Sequence, residues 1–165
     1  TAVLEGFKGL SRGMRLRIIL SALLVIGIAA ATFLFSGDTG PESADQSSRI
    51  TRLIMLIFGL DPVGQSFDSW HLAIRKLAHF SLYTLLGLGL YGLSGVLKPG
   101  RRLFVSLAIG VAAALADELH QLFVSERSSS LTDVGIDSCG VLFGCLIFMA
   151  GERIFCRLLR KRAGK

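Results

Sequence analysis

Four long apolar stretches dominate the chain, at residues 16–35, 78–97, 103–124 and 131–150, and the polar residues fall largely between them. Each is about 20 residues long, enough to cross about 30 Å of hydrocarbon at 1.5 Å per residue. None alternates with the period of two that a barrel strand needs, so the pattern predicts helices. The fold class is therefore an all-α membrane protein with four transmembrane helices: residues 16–35, 76–97 (entered at Lys76), 103–124 and 131–150. A basic tail follows at 151–165. In the long connection after the first span, Ile50, Leu53, Ile54, Ile57 and Phe58 recur at helical spacing, with Ser47 or Ser48 as N-cap. This predicts a helix over 49–60, too short to span. With Arg49 and Arg52 along its edge, it either lies in the outer interface or covers the bundle as a lid. Asp61, Pro62 and Gly64 end it, and Asp68 or Ser69 caps a helix running from Trp70 into the second span.

Charge turns this pattern into a topology. Lys and Arg number 18, and 13 of them lie in residues 1–17, 98–102 and 151–165, with only Glu5 and Glu152 as acids. The remaining five cations share the other side with ten acids. Positive charge marks the cytoplasmic face, so both termini are expected inside and the 36–75 and 125–130 connections outside. The net charge of +6 thus reflects orientation and gives no reason to expect nucleic-acid binding. Composition agrees, at 52% hydrophobic residues and a mean hydropathy of +0.61. Ala29 to Ala31 could imitate a cleavage site, but helix 1 is expected to be retained. A chain beginning at Thr1 suggests that residues 1–6 are trimmed or tagged. Cys139, Cys145 and Cys156 are too few and too badly placed for a disulfide framework, and read as plain thiols.

Two apparent motifs dissolve in this context. Gly87, Gly89 and Gly92 match a dinucleotide fingerprint, but without a strand before them and at mid-membrane depth they fit close helix packing and no nucleotide. Gly140 and Gly144 form a similar small-residue pair.

The chemistry gathers at the outer helix ends. Ionisable groups at membrane depth are costly and so mark candidate sites. Asp117, Glu118, His120 and Gln121 close the third span; Asp117, His120 and Gln121 share a face by helical spacing. Lys76, His79 and Tyr83 do the same on the second span, and Asp133 and Asp137 on the fourth, with Arg127 in the connecting loop. Short loops make these helices antiparallel neighbours, so the three sets can converge. Asp137, a full turn inside its helix, needs a partner, and Lys76 or His79 is nearest by topology.

In order and spacing, Arg75-Lys76-Leu77-Ala78-His79-Phe80 with Tyr83, Asp117-Glu118-Leu119-His120-Gln121 with Phe123, Arg127, and Asp133-Val134-Gly135-Ile136-Asp137 with Gly140 and Gly144 resemble the VanZ-like family of bacterial integral membrane proteins. The resemblance covers roughly residues 30–150 and implies a single membrane domain, here taken as 1–165. Ser36, Ser47 and Ser48 resemble the family's serine-containing external segment. Glu126 departs from it, standing where the family usually has Gly. The family's founding member is associated with resistance to teicoplanin, a glycopeptide carrying a fatty acyl chain, which implies a role in the cell envelope of the bacterial cytoplasmic membrane, with the active face external, and names no reaction.

Three functions are compatible with these residues. In the first, an enzyme acts at the outer leaflet on a lipid or lipid-linked envelope precursor. His79 or His120 is the general base, Asp117 or Glu118 its partner or acid, and Asp137 a further catalytic carboxylate. Lys76 and Arg127 hold a phosphate or developing anion, with Tyr83, Gln121 and Asp133 completing the binding surface. The residues name no cofactor; His79, Asp117, His120 and Asp137 make an adequate donor set for a divalent metal, although Lys76 in the same pocket would oppose a cation and no strict metal motif is present. In the second, the same pocket binds an amphiphile, a lipoglycopeptide included, without turnover. In the third, Asp137 with Lys76 and Glu118 with Arg127 pin the helices as a structural network. Four helices without repeats make a poor transporter.

Overall fold

The computed structural model describes residues 9–64, 66–127 and 129–163. The expectation for residues 1–6 lies outside them, as do Ser128 in the loop and the end of the basic tail. Among the described residues there are five α-helices and no strand. They are α1 (Arg12–Ser36), α2 (Gly40–Ile57), α3 (Phe67–Leu93), α4 (Pro99–Gln121) and α5 (Leu131–Ala163), with a single 3₁₀ turn, Ser94–Val96, after α3. Four of them, all but α2, are long and apolar enough to cross a membrane.

Local chemistry sets the ends. Ser11 accepts the Met14 N–H and starts α1. Pro99, whose missing N–H costs nothing in a first turn, starts α4. Several boundaries differ from those expected; the first and third spans start four residues earlier, at Arg12 and Pro99, and the third ends at Gln121. α2 begins at Gly40 instead of 49, because the Glu42 carboxylate reaches back to the Thr39 N–H (3.0 Å) and hydroxyl (2.8 Å) and holds the first turn. Ser47 and Ser48 are therefore interior to α2, their hydroxyls bonded to backbone carbonyls a turn earlier. Ser66 immediately precedes α3, so Asp68 lies in its first turn. α5 continues to Ala163 through most of the expected tail.

α3 is the central element, packed against every other helix and most extensively against α5. Its interface with α5 is a backbone-to-backbone approach: Cβ atoms at Gly87 and Gly144 would collide with the Val141 and Thr84 carbonyl oxygens, and one at Gly140 would lie 2.6 Å from the Phe80 carbonyl oxygen. On the other side Gly89 and Gly92 meet α1 at Val25 and Ser21. Tyr83, Leu86, Leu90, Tyr91, Ala114, Val141 and Cys145 form the buried core, while most of α1 is exposed, as a lipid-facing helix must be.

The far end of the bundle carries an ion network. Arg102 is 6% exposed. Its guanidinium donates to the Tyr91 carbonyl (3.2 and 3.0 Å) and to Glu152 (3.0 and 3.3 Å), and lies 4.0 Å above the Tyr91 ring. Arg17 donates to the same carboxylate at 2.7 Å, so one acid ties α1, α4 and α5 together.

Candidate functional site

The close approach of α3 and α5 at Gly140 sets the spacing of the side chains one turn away. His79 on α3 and Asp137 on α5 face each other, Nδ1 to Oδ1, at 3.6 Å. Asp117 arrives from α4, and one donor atom from each of His79, Asp117 and Asp137 lies within 4.8 Å of the others. Asp137 is 0% and Asp117 7% exposed. The Gln121 amide donates to Asp117 Oδ2 at 3.2 Å, a contact within one helix that fixes the carboxylate's orientation. Tyr83, one turn beyond His79, is buried and lines the same space with Gln121 and Arg127.

The other candidate residues go elsewhere. His120 shares a helical face with Asp117, but its ring turns to α1, stacking on Phe33 at 5.1 Å and meeting the Ser36 hydroxyl at 3.2 Å. It stands apart from the His79, Asp117 and Asp137 group, which corrects the expected four-residue donor set. Glu118 accepts the Ser130 N–H at 2.7 Å and so ties α4 to the start of α5. Arg127 donates to the Ser43 hydroxyl (2.8 Å) and the Phe35 carbonyl (2.7 Å), bracing the loop against α1 and α2. The expected pairs Glu118 with Arg127 and Asp137 with Lys76 are not among the ion pairs of the described residues. Burial, then the Arg75 charge, lowers the Arg127 pKa, while Asp117, Asp38 and Glu118 oppose this. Lys76 and Asp133 border a 120 Å³ cavity with Arg75 and His79.

His79 sits where cavities meet. Besides that one, it lines a 220 Å³ cavity under α2 with Arg75, Arg127, Asp38, Ser43 and Ser47, and a 30 Å³ pocket with Asp117 and Tyr83. Asp117 and Tyr83 in turn border a 460 Å³ groove between α1, α3 and α4, walled by Val25, Ala29, Leu86, Leu90, Ile109 and Ala113. Phe33, Ile109 and Ala116 on its rim are exposed, so the groove opens sideways, toward lipid.

Three features escaped the sequence reading. Arg75 joins two of the cavities around His79; its position one residue before Lys76 was visible, but not its direction. The Ser47 hydroxyl lies 2.6 Å from His71 Nε2 and fastens α2 to α3. Arg102 was counted as a loop charge, although Pro99 signalled a helix start that places it inside α4.

Glu126 has a φ of 59°, the left-handed region that glycine enters without strain. The residue that departs from the resemblance therefore holds a backbone shape suited to the glycine it replaces. Gly40 packs directly on this loop, donating its N–H to Ser125 at 3.1 Å, with no room for a Cβ beside the Glu126 carbonyl.

No curated protein and no solved structure gives a significant match. A model of the VanZ/LLP1 family does, over residues 21–156, which takes in most of the four spanning segments and every candidate residue described above. The chain belongs to the VanZ/LLP1 family and is a multi-pass membrane protein of that family.

Proposed function

We propose that this protein is a membrane-embedded hydrolase or transferase that acts on the headgroup of a lipid or lipid-linked precursor of the bacterial envelope. The observation that carries this reading is the two-part shape around His79. An apolar 460 Å³ groove, of the size that takes a small ligand, runs along α3 and ends at Asp117. A 220 Å³ cavity, also walled mainly by apolar side chains but carrying Arg75, Arg127 and Asp38, begins on the other side of His79. An amphiphile fits this sequence of surfaces: its chain lies between α1, α3 and α4, and its anionic headgroup meets Arg75 and Arg127.

The linkage between the two parts then sits beside His79, which takes or gives the proton, with the Asp137 carboxylate facing its ring at 3.6 Å. Asp117, held by Gln121, is the second acid–base group. The charge bias of the chain supports placing this end of the bundle at the external face of the cytoplasmic membrane, where α2 covers it.

The test is turnover. Purified protein in lipid nanodiscs is incubated with phosphate-bearing envelope lipids, and products are followed by mass spectrometry. His79→Gln should lose product formation by at least 100-fold while its helical content and melting temperature stay close to wild type. Retention of lipid without product in wild-type protein would favour the non-catalytic amphiphile binder. Loss of folding in parallel with loss of product at every site would favour a purely structural network.

A further inference from the structure

We infer that His79, Asp117 and Asp137 form a site for a single divalent transition-metal ion, of the zinc or manganese class. Buried polar atoms almost always find hydrogen-bond partners. Here Asp137 Oδ1, Asp137 Oδ2 and His79 Nδ1 are all buried and none has one among the described residues. Their mutual distance of 3.6 Å is too long for a hydrogen bond, so a direct His79–Asp137 bond does not account for them.

A carboxylate that is 0% exposed in a membrane helix is expensive unless strongly compensated. One divalent cation among the three residues compensates two carboxylates and the imidazole nitrogen together. Ligand atoms on one such ion sit about 2 Å from it and so about 3–4 Å apart. The observed limit of 4.8 Å closes to that range with small side-chain rotations.

The donor set selects the class of ion. One imidazole nitrogen with carboxylate oxygens suits zinc, manganese or ferrous iron, whereas magnesium and calcium favour oxygen alone. Gln121, bonded to Asp117 Oδ2, is the kind of outer contact that holds a ligand carboxylate in orientation. Three protein ligands leave coordination positions open, as in catalytic metal sites. The adjoining 30 Å³ pocket, bordered by Thr32, Ser36, Tyr83 and Arg127, has room for about one or two water-sized ligands there. As a binding site this stands on geometry alone; as a cofactor site, where the ion would supply Lewis-acid chemistry, it rests on the enzyme reading above.

The experiment measures binding before activity. Purified protein in detergent is stripped with chelator and titrated with Zn²⁺ and with Mn²⁺ by calorimetry, with metal content counted by mass spectrometry. One ion per chain is expected, with at least a 100-fold weaker affinity in Asp137→Asn and at least a 10-fold weaker one in Asp117→Asn. Asp45→Asn, on the exposed face of α2 beside Arg49, should bind as wild type does. Because Asp137→Asn removes a buried charge and can alter folding, a second readout is thermal: at a fixed metal concentration, metal should raise the melting temperature of wild type and Asp45→Asn equally, and that of Asp117→Asn by clearly less. No stoichiometric binding, or equal binding by the triad variants, overturns the proposal. Metal bound without turnover keeps the site and removes the enzyme reading; full turnover by metal-free protein removes the cofactor role.

Discussion

Replacing Gly140 by Ala should separate the two halves of the site without removing any polar group. A Cβ at this position would lie 2.6 Å from the Phe80 carbonyl oxygen, 3.1 Å from Tyr83 Cβ and 3.2 Å from the Thr84 N, where ordinary contact begins at 3.4 Å. The deficit against Phe80 is about 0.8 Å, and all three obstacles sit on α3, two of them backbone atoms that cannot rotate away. Packed helices move as rigid bodies, so α5 must shift outward at this turn. Overpacking of this kind costs about 1–3 kcal/mol, or about 2–12 °C in melting temperature for a chain of this size. Asp137 lies three residues away on the same face, and even part of the shift takes the 3.6 Å separation from His79 past ion-pair range. Gly151→Ala is the matched control, because nothing lies within 4 Å of its Cβ. Thermal unfolding in detergent, with metal affinity and turnover measured on the same samples, checks the outcome. Gly140→Ala should lower all three and Gly151→Ala none. A Gly140→Ala protein with wild-type stability and wild-type metal affinity would refute the claim that this glycine contact sets the site's spacing.

Glu126→Gly should stabilise the protein by about 0.5–1 kcal/mol, since relief of the left-handed strain at φ 59° outweighs the added freedom of the unfolded chain; a lower melting temperature would contradict it. Arg102→Met leaves the Tyr91 carbonyl without its guanidinium donor and Glu152 with Arg17 alone, and should cost about 3 kcal/mol with little effect on metal affinity at the opposite end. Hydrogen bonds from the Thr39 backbone, then its side chain, lower the Glu42 pKa, so this cap helps α2 at pH values above the unfolded carboxylate's pKa and is lost as pH falls through the folded one. Amide protection factors in residues 42–44, corrected for the intrinsic pH dependence of exchange, should therefore fall on acidification in wild type and be less pH-dependent in Glu42→Gln. With Cys139 and Cys156 replaced by Ala, a membrane-impermeant thiol reagent applied outside should label Ser125→Cys and spare Gly100→Cys; the reverse pattern would invert the topology.

The spans were legible because a membrane helix must satisfy its backbone internally and keep its side chains apolar over about 20 residues, a demand written in composition. Convergence of residues from three helix ends was legible from loop lengths. The direction of each side chain was not. Helical spacing places Asp117 and His120 on one face, yet that face is wide enough for Asp117 to meet His79 and His120 to meet Ser36. Arg127 finds Ser43 and the Phe35 carbonyl in place of Glu118, because the fold of the long connection brings α2 back over the loop, and no local pattern encodes that return. The early start of α2 was available in Thr39, Pro41 and Glu42, a capping signature outweighed by the polarity of residues 42–48. Arg102 looked like one more orienting charge, since the fixed count of basic residues per side says nothing about which of them is buried.

The claim on which the functional account depends is that an amphiphile reaches His79 from the membrane through the groove between α1, α3 and α4. A phospholipid carrying a photoreactive group within its acyl chain, crosslinked to the protein in nanodiscs and mapped by mass spectrometry, tests this directly. The account predicts adducts on the groove residues Leu86, Ile109 and Ala113, strongly reduced in Ala113→Phe, which fills the groove. Adducts confined to the outward faces of the helices, and unchanged in Ala113→Phe, would contradict it.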